Sequence, residues 1–248
     1  MGYLALSVII NTANRPAFDH QSNWEMLFRA SGDHPKHLTL DDAREMINAF
    51  TFLSHQVRPC LAHVTIRWDK SALFHPRDWL AVQGRLLDKA TRWLRRNGII
   101  VAYLWVREIG KRFGPHTHLL IHLPPNHWQG FKTFLGEAGQ FDLVADPSGD
   151  ALHLAGGRFG MRSPMMASGV LRYMLKGLDP DTHVRSDGRV ISLPAALGVD
   201  DRGEKRQPIA GKRCGVSGTI GATRRASMGW VELHTPEELH AALHPSAG

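Results

Sequence analysis

From Leu40 onward, Ala43, Met46, Ile47, Phe50, Leu53 and Val57 recur at spacings of three and four, the period of one buried helical face. Thr39 and Asp42 stand ahead of them in capping-box positions. The period then changes. Leu61 to Trp68 is rich in β-branched and aromatic residues and predicts a strand. Pro76 suits a first helical turn, and Trp79, Val82, Leu86, Leu87, Ala90, Trp93 and Leu94 form an apolar stripe ending at Asn97-Gly98. Ile99 to Ile109 and His116 to Leu123 predict two more strands, and the turn-rich Gly110 to Pro115 between them is short enough to force antiparallel pairing. Trp128, Phe131, Phe134 and Leu135 predict a helix, and Ala151 to Ala155 a short fourth strand. Ser163-Pro164 then opens a helix expected to run through Lys176 to a Gly177 cap. Residues 1–37 carry no sustained period.

Read from residue 61, the order is β, α, β, β, α, β, α. This is an α+β chain with the split βαβ arrangement of ferredoxin-like domains and one helix added after the last strand. Such an antiparallel sheet is expected to leave one face open for a site, although the fold alone decides no function. No repeat or linker interrupts this stretch. The expected organisation is an extension with one amphipathic helix at 1–60, a domain at 61–180 and a basic extension at 181–248. With 248 residues, 43% hydrophobic and 21% charged, the composition excludes disordered, collagen-like and low-complexity classes. The apolar run Leu4 to Ile10 is too short for a membrane span and lacks the basic residues of a signal peptide, so a soluble cytoplasmic protein without membrane partners is expected. Cys60 and Cys214 make no Cys-x-x-Cys pair and fit reduced thiols.

The net charge of +7 is unevenly placed: residues 61–180 hold 16 basic against 9 acidic side chains, while the flanking segments are close to balance. Arg202 to Arg225 still carries seven basic residues and one acid, Glu204. That distribution suits a polyanion such as nucleic acid. Arg85, Lys89, Arg92 and Arg96 recur at helical spacing opposite the apolar stripe, either as a solvated face or as a DNA contact. Arg158, Phe159 and Arg162 lie in a glycine-rich stretch, and arginine beside an aromatic on flexible backbone suits single-stranded DNA.

The sharpest chemical feature is His116-Thr117-His118. The two-residue period of a strand points both imidazoles to one face, where they are either partly buried structural groups or ligands of one ion. His122 lies on the same face as a possible accessory. Glu108 is an acid inside an apolar strand, costly unless paired or metal-bound, and the intervening turn folds it back beside the histidines. Its alternative is an ion pair with Arg107 or Lys111. Two imidazoles and a carboxylate with open positions suit Mg²⁺ or Mn²⁺ when the substrate offers hard phosphate oxygens, and also admit Zn²⁺ or Ni²⁺. Tyr173 and Lys176 share a helical face. Ionising a free tyrosine at neutral pH costs about 4 kcal/mol, which a neighbouring ammonium offsets.

Together, Val64-Thr65-Ile66, Glu108, His116-Thr117-His118 and Tyr173-Met174-Leu175-Lys176 resemble the HUH endonucleases, in particular single-tyrosine initiators of rolling-circle replication, over about residues 61 to 178. The resemblance implies a split βαβ sheet, a divalent ion on the histidines and a nearby polar residue, and attack on a scissile phosphate by Tyr173. The products would be a 5′-phosphotyrosyl link and a free 3′-hydroxyl that primes synthesis. It also implies single-stranded DNA or an origin hairpin as substrate, with a host helicase and polymerase as partners. One position departs from the family: Thr117 stands where an apolar residue is usual, on the face turned away from the histidines. Gly156, Gly157 and Gly160 lack the lysine and hydroxyl of a phosphate-binding loop, so no nucleotide motor is expected within the chain. A non-catalytic nucleic-acid binder, a water-using metal hydrolase, and a transposase or relaxase of the same superfamily are the competing readings.

Overall fold

The computed structural model describes residues 37–56, 61–110, 114–142, 151–155, 164–200, 208–209 and 211–245. Helix α1 (Leu40–Gln56) starts from the expected box: Asp42 N–H donates to the Thr39 hydroxyl at 3.1 Å, and Thr39 N–H donates to the Asp42 carboxylate at 3.0 Å. Strand β1 (Leu61–Arg67) and a short 3₁₀ turn at Pro76–Asp78 lead into α2 (Trp79–Arg96). Strands β2 (Tyr103–Gly110) and β3 (Gly114–His122) form the hairpin, followed by α3 (Trp128–Gly139), β4 (Leu152–Ala155) and α4 (Pro164–Met174). The second strand thus begins four residues later than its hydrophobicity suggests, because Ile99 and Val101 are buried as part of the connection from α2.

Beyond residue 180, a small hairpin of β5 (His183–Ser186) and β6 (Arg189–Ser192) precedes α5 (Leu193–Ala196), β7 (Cys214–Val216), α6 (Ala222–Ser227) and α7 (Pro236–Leu243). Five strands make one antiparallel sheet in the order β4-β1-β3-β2-β7, an α+β architecture compatible with the ferredoxin-like class.

Strand alternation divides the buried residues into two cores. Ala62, Val64, Ile66, Leu119 and Ile121 face α2 and α3, whereas Leu104, Val106 and Leu120 face α1, α4 and α7. The second face is therefore not open, as a bare split βαβ sheet would leave it. Met46, Phe50 and Leu53 from the N-terminal segment cover it together with Leu239 and Leu243 from the C-terminal one, so a single core joins residues below 60, between 61 and 180, and beyond 180. Among the described residues, no helix is long and apolar enough to cross a membrane.

Thr117 has a physical reason to be polar. On the α2 face its hydroxyl accepts from the Trp68 indole at 2.8 Å and donates to the Gln83 side-chain oxygen at 2.8 Å, all in a buried setting. An apolar residue here would leave an indole N–H and an amide oxygen unsatisfied. Thr117→Val is expected to destabilise the fold by about 1–3 kcal/mol in chemical denaturation, leaving metal affinity at the opposite face unchanged.

Candidate functional site

The β2–β3 register places Glu108 directly opposite His116 and Val106 opposite His118, so the two imidazoles and the carboxylate emerge on one face. Their ligand atoms lie within 4.8 Å of one another, and all three side chains are buried. Two glycines allow this. A Cβ on Gly110 would stand 3.3 Å from the His116 ring, and Gly114 takes a left-handed φ of 59° to begin β3.

Proton bookkeeping then fixes the character of the group. His116 Nδ1 lies 2.9 Å from the Gly114 carbonyl, which can only accept, so Nδ1 carries a proton and the ring is held with Nε2 toward β2. That Nε2 faces Glu108 Oε2 at 3.4 Å. His118 Nδ1 contacts His63 Nε2 at 3.1 Å and the Thr65 hydroxyl at 3.2 Å, while its Nε2 points toward Glu108 Oε2 at 3.5 Å without a hydrogen-bond partner. Glu108 Oε1 is likewise buried and unpartnered. A buried carboxylate beside two imidazole Nε2 atoms needs positive charge near it, and the ligand set fits a divalent metal ion.

Lys176 partly answers that need. Its Nζ lies 2.9 Å from Glu108 Oε2, and this ion pair takes the place of the Arg107 or Lys111 partner considered from sequence. Arg107 is turned to the other face of the sheet, over the Trp79 and Trp105 rings at 5.0 and 5.9 Å, and donates to the Lys212 carbonyl at 2.8 Å. Lys111 lies outside the described residues. Burial works to raise the Glu108 carboxyl, but the imidazoles of His116 and His118 and the charge of Lys176 outweigh it and hold the group well below the ordinary carboxylate range.

Tyr173 completes the cluster from α4. Its ring meets His118 edge-on at 5.1 Å between centroids and His63 at 6.2 Å, with Lys176 Nζ 3.7 Å from its centre. The helix does not continue through Lys176 as its pattern suggests. It ends at Met174 and tightens into a 3₁₀ turn, Leu175–Gly177, whose three-residue period stacks Lys176 over Tyr173. Leu38 clamps that turn by accepting from Asp179 N–H at 3.1 Å and donating to the Gly177 carbonyl at 2.8 Å. A narrow cleft of about 170 Å³, lined by Tyr173, Lys176, Arg172 and Asp200 among others, opens beside the pair.

Other sequence candidates fall elsewhere. His122 is on the same face but four residues beyond His118, about 13 Å along the strand, and outside the metal-ligand group. Arg85, Lys89, Arg92 and Arg96 are exposed along α2, which packs on the sheet face opposite the histidines, and Lys89 reaches the Ala138 carbonyl at 3.3 Å near the end of α3. Arg158, Phe159 and Arg162 lie outside the described residues. Within the basic C-terminal stretch, Arg213 and Arg225 are buried, and Arg225 pairs with Glu45 at 2.6 Å and Glu232 at 2.7 Å. These two charges serve the fold.

His63 is the residue that sequence reading passed over. Its alternation with Thr65 on β1 was the available signal, since both side chains point at the histidine face. Burial, reinforced by neighbouring His118, His153 and Lys176, pulls its pKa down to about 3, so His63 stays neutral and can accept from His118. Between about pH 6.5 and 3 the unfolded chain therefore binds a proton at this position that the folded chain does not, and stability falls as the pH drops through that window. His63→Gln is expected to flatten this part of the stability–pH curve and, by loosening His118, to weaken Mn²⁺ binding about 10-fold or more in a calorimetric titration. In comparisons with family models, curated proteins and solved structures, nothing matches this chain, and the chemistry of the site is read from its own residues.

Proposed function

We propose that this chain is an HUH-type endonuclease and strand transferase that nicks and rejoins single-stranded DNA through a 5′-phosphotyrosyl intermediate, initiating rolling-circle replication of a plasmid or phage. The observation that supports it most is the meeting of Tyr173 and Lys176 with Glu108, His116 and His118, groups separated by more than fifty residues of chain. We read the β4-β1-β3-β2 portion of the sheet as a ferredoxin-like core to which β7 is added.

Glu108, His116 and His118 are the residues that would hold the ion, and phosphate chemistry favours Mg²⁺ or Mn²⁺. When bound, a divalent ion supplies charge that polarises the scissile phosphate. The Tyr173 oxygen forms the bond to phosphorus while the bond to the 3′-oxygen breaks. The phenolic proton departs, and the 3′-oxygen leaves as a hydroxyl after gaining one. Lys176 adds positive charge beside both Glu108 and the tyrosine ring, which would stabilise negative charge that develops at the reacting centre. Rejoining reverses these steps, so the phosphotyrosyl bond conserves the energy of the broken one and no nucleotide is consumed. The free 3′-hydroxyl would be handed to a host polymerase, with strand separation left to a host helicase.

Incubation with labelled single-stranded DNA and Mn²⁺, resolved on a denaturing gel, tests the proposal. Wild-type protein is expected to become attached to the 5′ end of one product. Tyr173→Phe should retain DNA binding and lose both cleavage and attachment, Lys176→Ala should slow cleavage, and His116→Ala, His118→Ala or Glu108→Ala should reduce it through loss of metal. Cleavage by Tyr173→Phe at the wild-type rate would point instead to a water-using hydrolase. Replacing Arg85, Arg92 and Arg96 together is expected to lower DNA affinity and reduce the log–log salt slope by roughly 0.7 for each phosphate that is no longer neutralised.

A further inference from the structure

A second cleft, of about 590 Å³, opens at the far end of β2, where α1, α2 and the turn after β7 converge. Tyr103 forms part of its wall. It precedes Glu108 by five residues, about 17 Å along the strand, and points to the opposite sheet face. Phe52, Val101 and Ile220 give the cleft a buried apolar floor. Among the described residues its charged lining groups are two exposed arginines, Arg95 from α2 and Arg224 from α6, and the Asp88 carboxylate of α2 is near Tyr103 outside the lining. The Thr91 side chain stands near the Tyr103 phenol on the cleft wall.

The cleft is also pre-formed. Ser217 N–H donates to the Tyr103 carbonyl at 2.9 Å, Tyr103 N–H donates to the Ser217 hydroxyl at 3.2 Å, and the Thr219 hydroxyl donates to the Val101 carbonyl. These contacts hold the turn against the start of β2, so little ordering remains to oppose a ligand.

We propose that this cleft is a nucleotide subsite, in which an aromatic base lies against Tyr103 and the apolar floor while its phosphate meets Arg95 and Arg224. Charge selects an anion, and guanidinium groups suit phosphate. The aromatic wall with flanking hydroxyls suits a base, which offers a flat apolar face and polar edges. Arg85, Arg92 and Arg96 are exposed on the same helix as Arg95 and extend the positive surface from the cleft, a path for further phosphates of a single strand. The subsite does not depend on Tyr173 being a nucleophile.

Fluorescence anisotropy and calorimetry with two probes, a short oligothymidylate and thymidine 5′-monophosphate, test it. Arg95→Glu combined with Arg224→Glu alters only exposed groups. Gly218→Trp adds bulk at a cleft residue whose missing Cβ faces open space. Each variant is expected to weaken binding of the probe about tenfold or more while keeping the wild-type melting temperature. Tyr173→Phe should leave this binding intact, so failure at the cleft and failure of the nicking reaction are read separately. Binding of the monophosphate on its own identifies a free nucleotide as occupant, and binding of the oligonucleotide alone identifies a DNA strand. Wild-type affinity for both probes in both variants, no binding of either probe, or displacement of them by dodecanoate at lower concentration would overturn the proposal.

Discussion

Glu108 is a carboxylate 5% exposed inside a sheet, and a buried charge of that kind persists only where cations or strong donors surround it. Each neighbouring element supplies one. The hairpin register brings His116 and His118, and the 3₁₀ turn after α4 brings Lys176, whose position is in turn fixed by Leu38 from the far end of the sequence. A slip of the hairpin by one residue would turn one strand's side chains to the other face and separate the carboxylate from its imidazoles. Site and register are therefore one constraint, and the chemistry of the site depends on sheet pairing as much as on the identities of its residues.

The same strand buries a charge of the opposite sign on its other side. Arg107 follows the alternation away from Glu108, lies over two indoles and donates to a carbonyl supplied by Lys212. Adjacent residues thus place an anion against the tyrosine helix and a cation against α2, and different parts of the chain satisfy each. Burial lowers the Arg107 pKa to about 10, which still leaves the guanidinium charged at neutral pH. Cys214 is another group committed to the interior: burial and Asp42 push its thiol up, so it is not a reactive thiolate.

Local pattern made the central part of this architecture readable. β-Branched and aromatic runs located β1 and the hairpin, apolar stripes located α1 to α3, start and stop signals located α4, and His116, His118, Glu108, Tyr173 and Lys176 stood out because their types are costly or chemically potent in such settings. Long-range satisfaction was not readable in the same way. Nothing local says that Arg225 will be enclosed by Glu45 and Glu232, so a basic run that resembled a nucleic-acid contact proved partly structural. Nor does a three-residue strand such as Cys214–Val216 carry enough periodicity to announce itself. His63 was hidden for a different reason: a histidine becomes a positioning group only through the neighbour it meets, and that neighbour is fifty-five residues away.

Strand β7 has one consequence for how the protein comes into being. It pairs with β2, the strand bearing Glu108, but emerges from synthesis more than one hundred residues after it. Until then the nascent sheet presents the backbone groups of β2 along an apolar stretch, an open template for another chain. The short C-terminal strand therefore acts as a late-arriving edge guard, and a fragment ending near residue 180 would retain the site residues yet expose the edge most prone to intermolecular pairing.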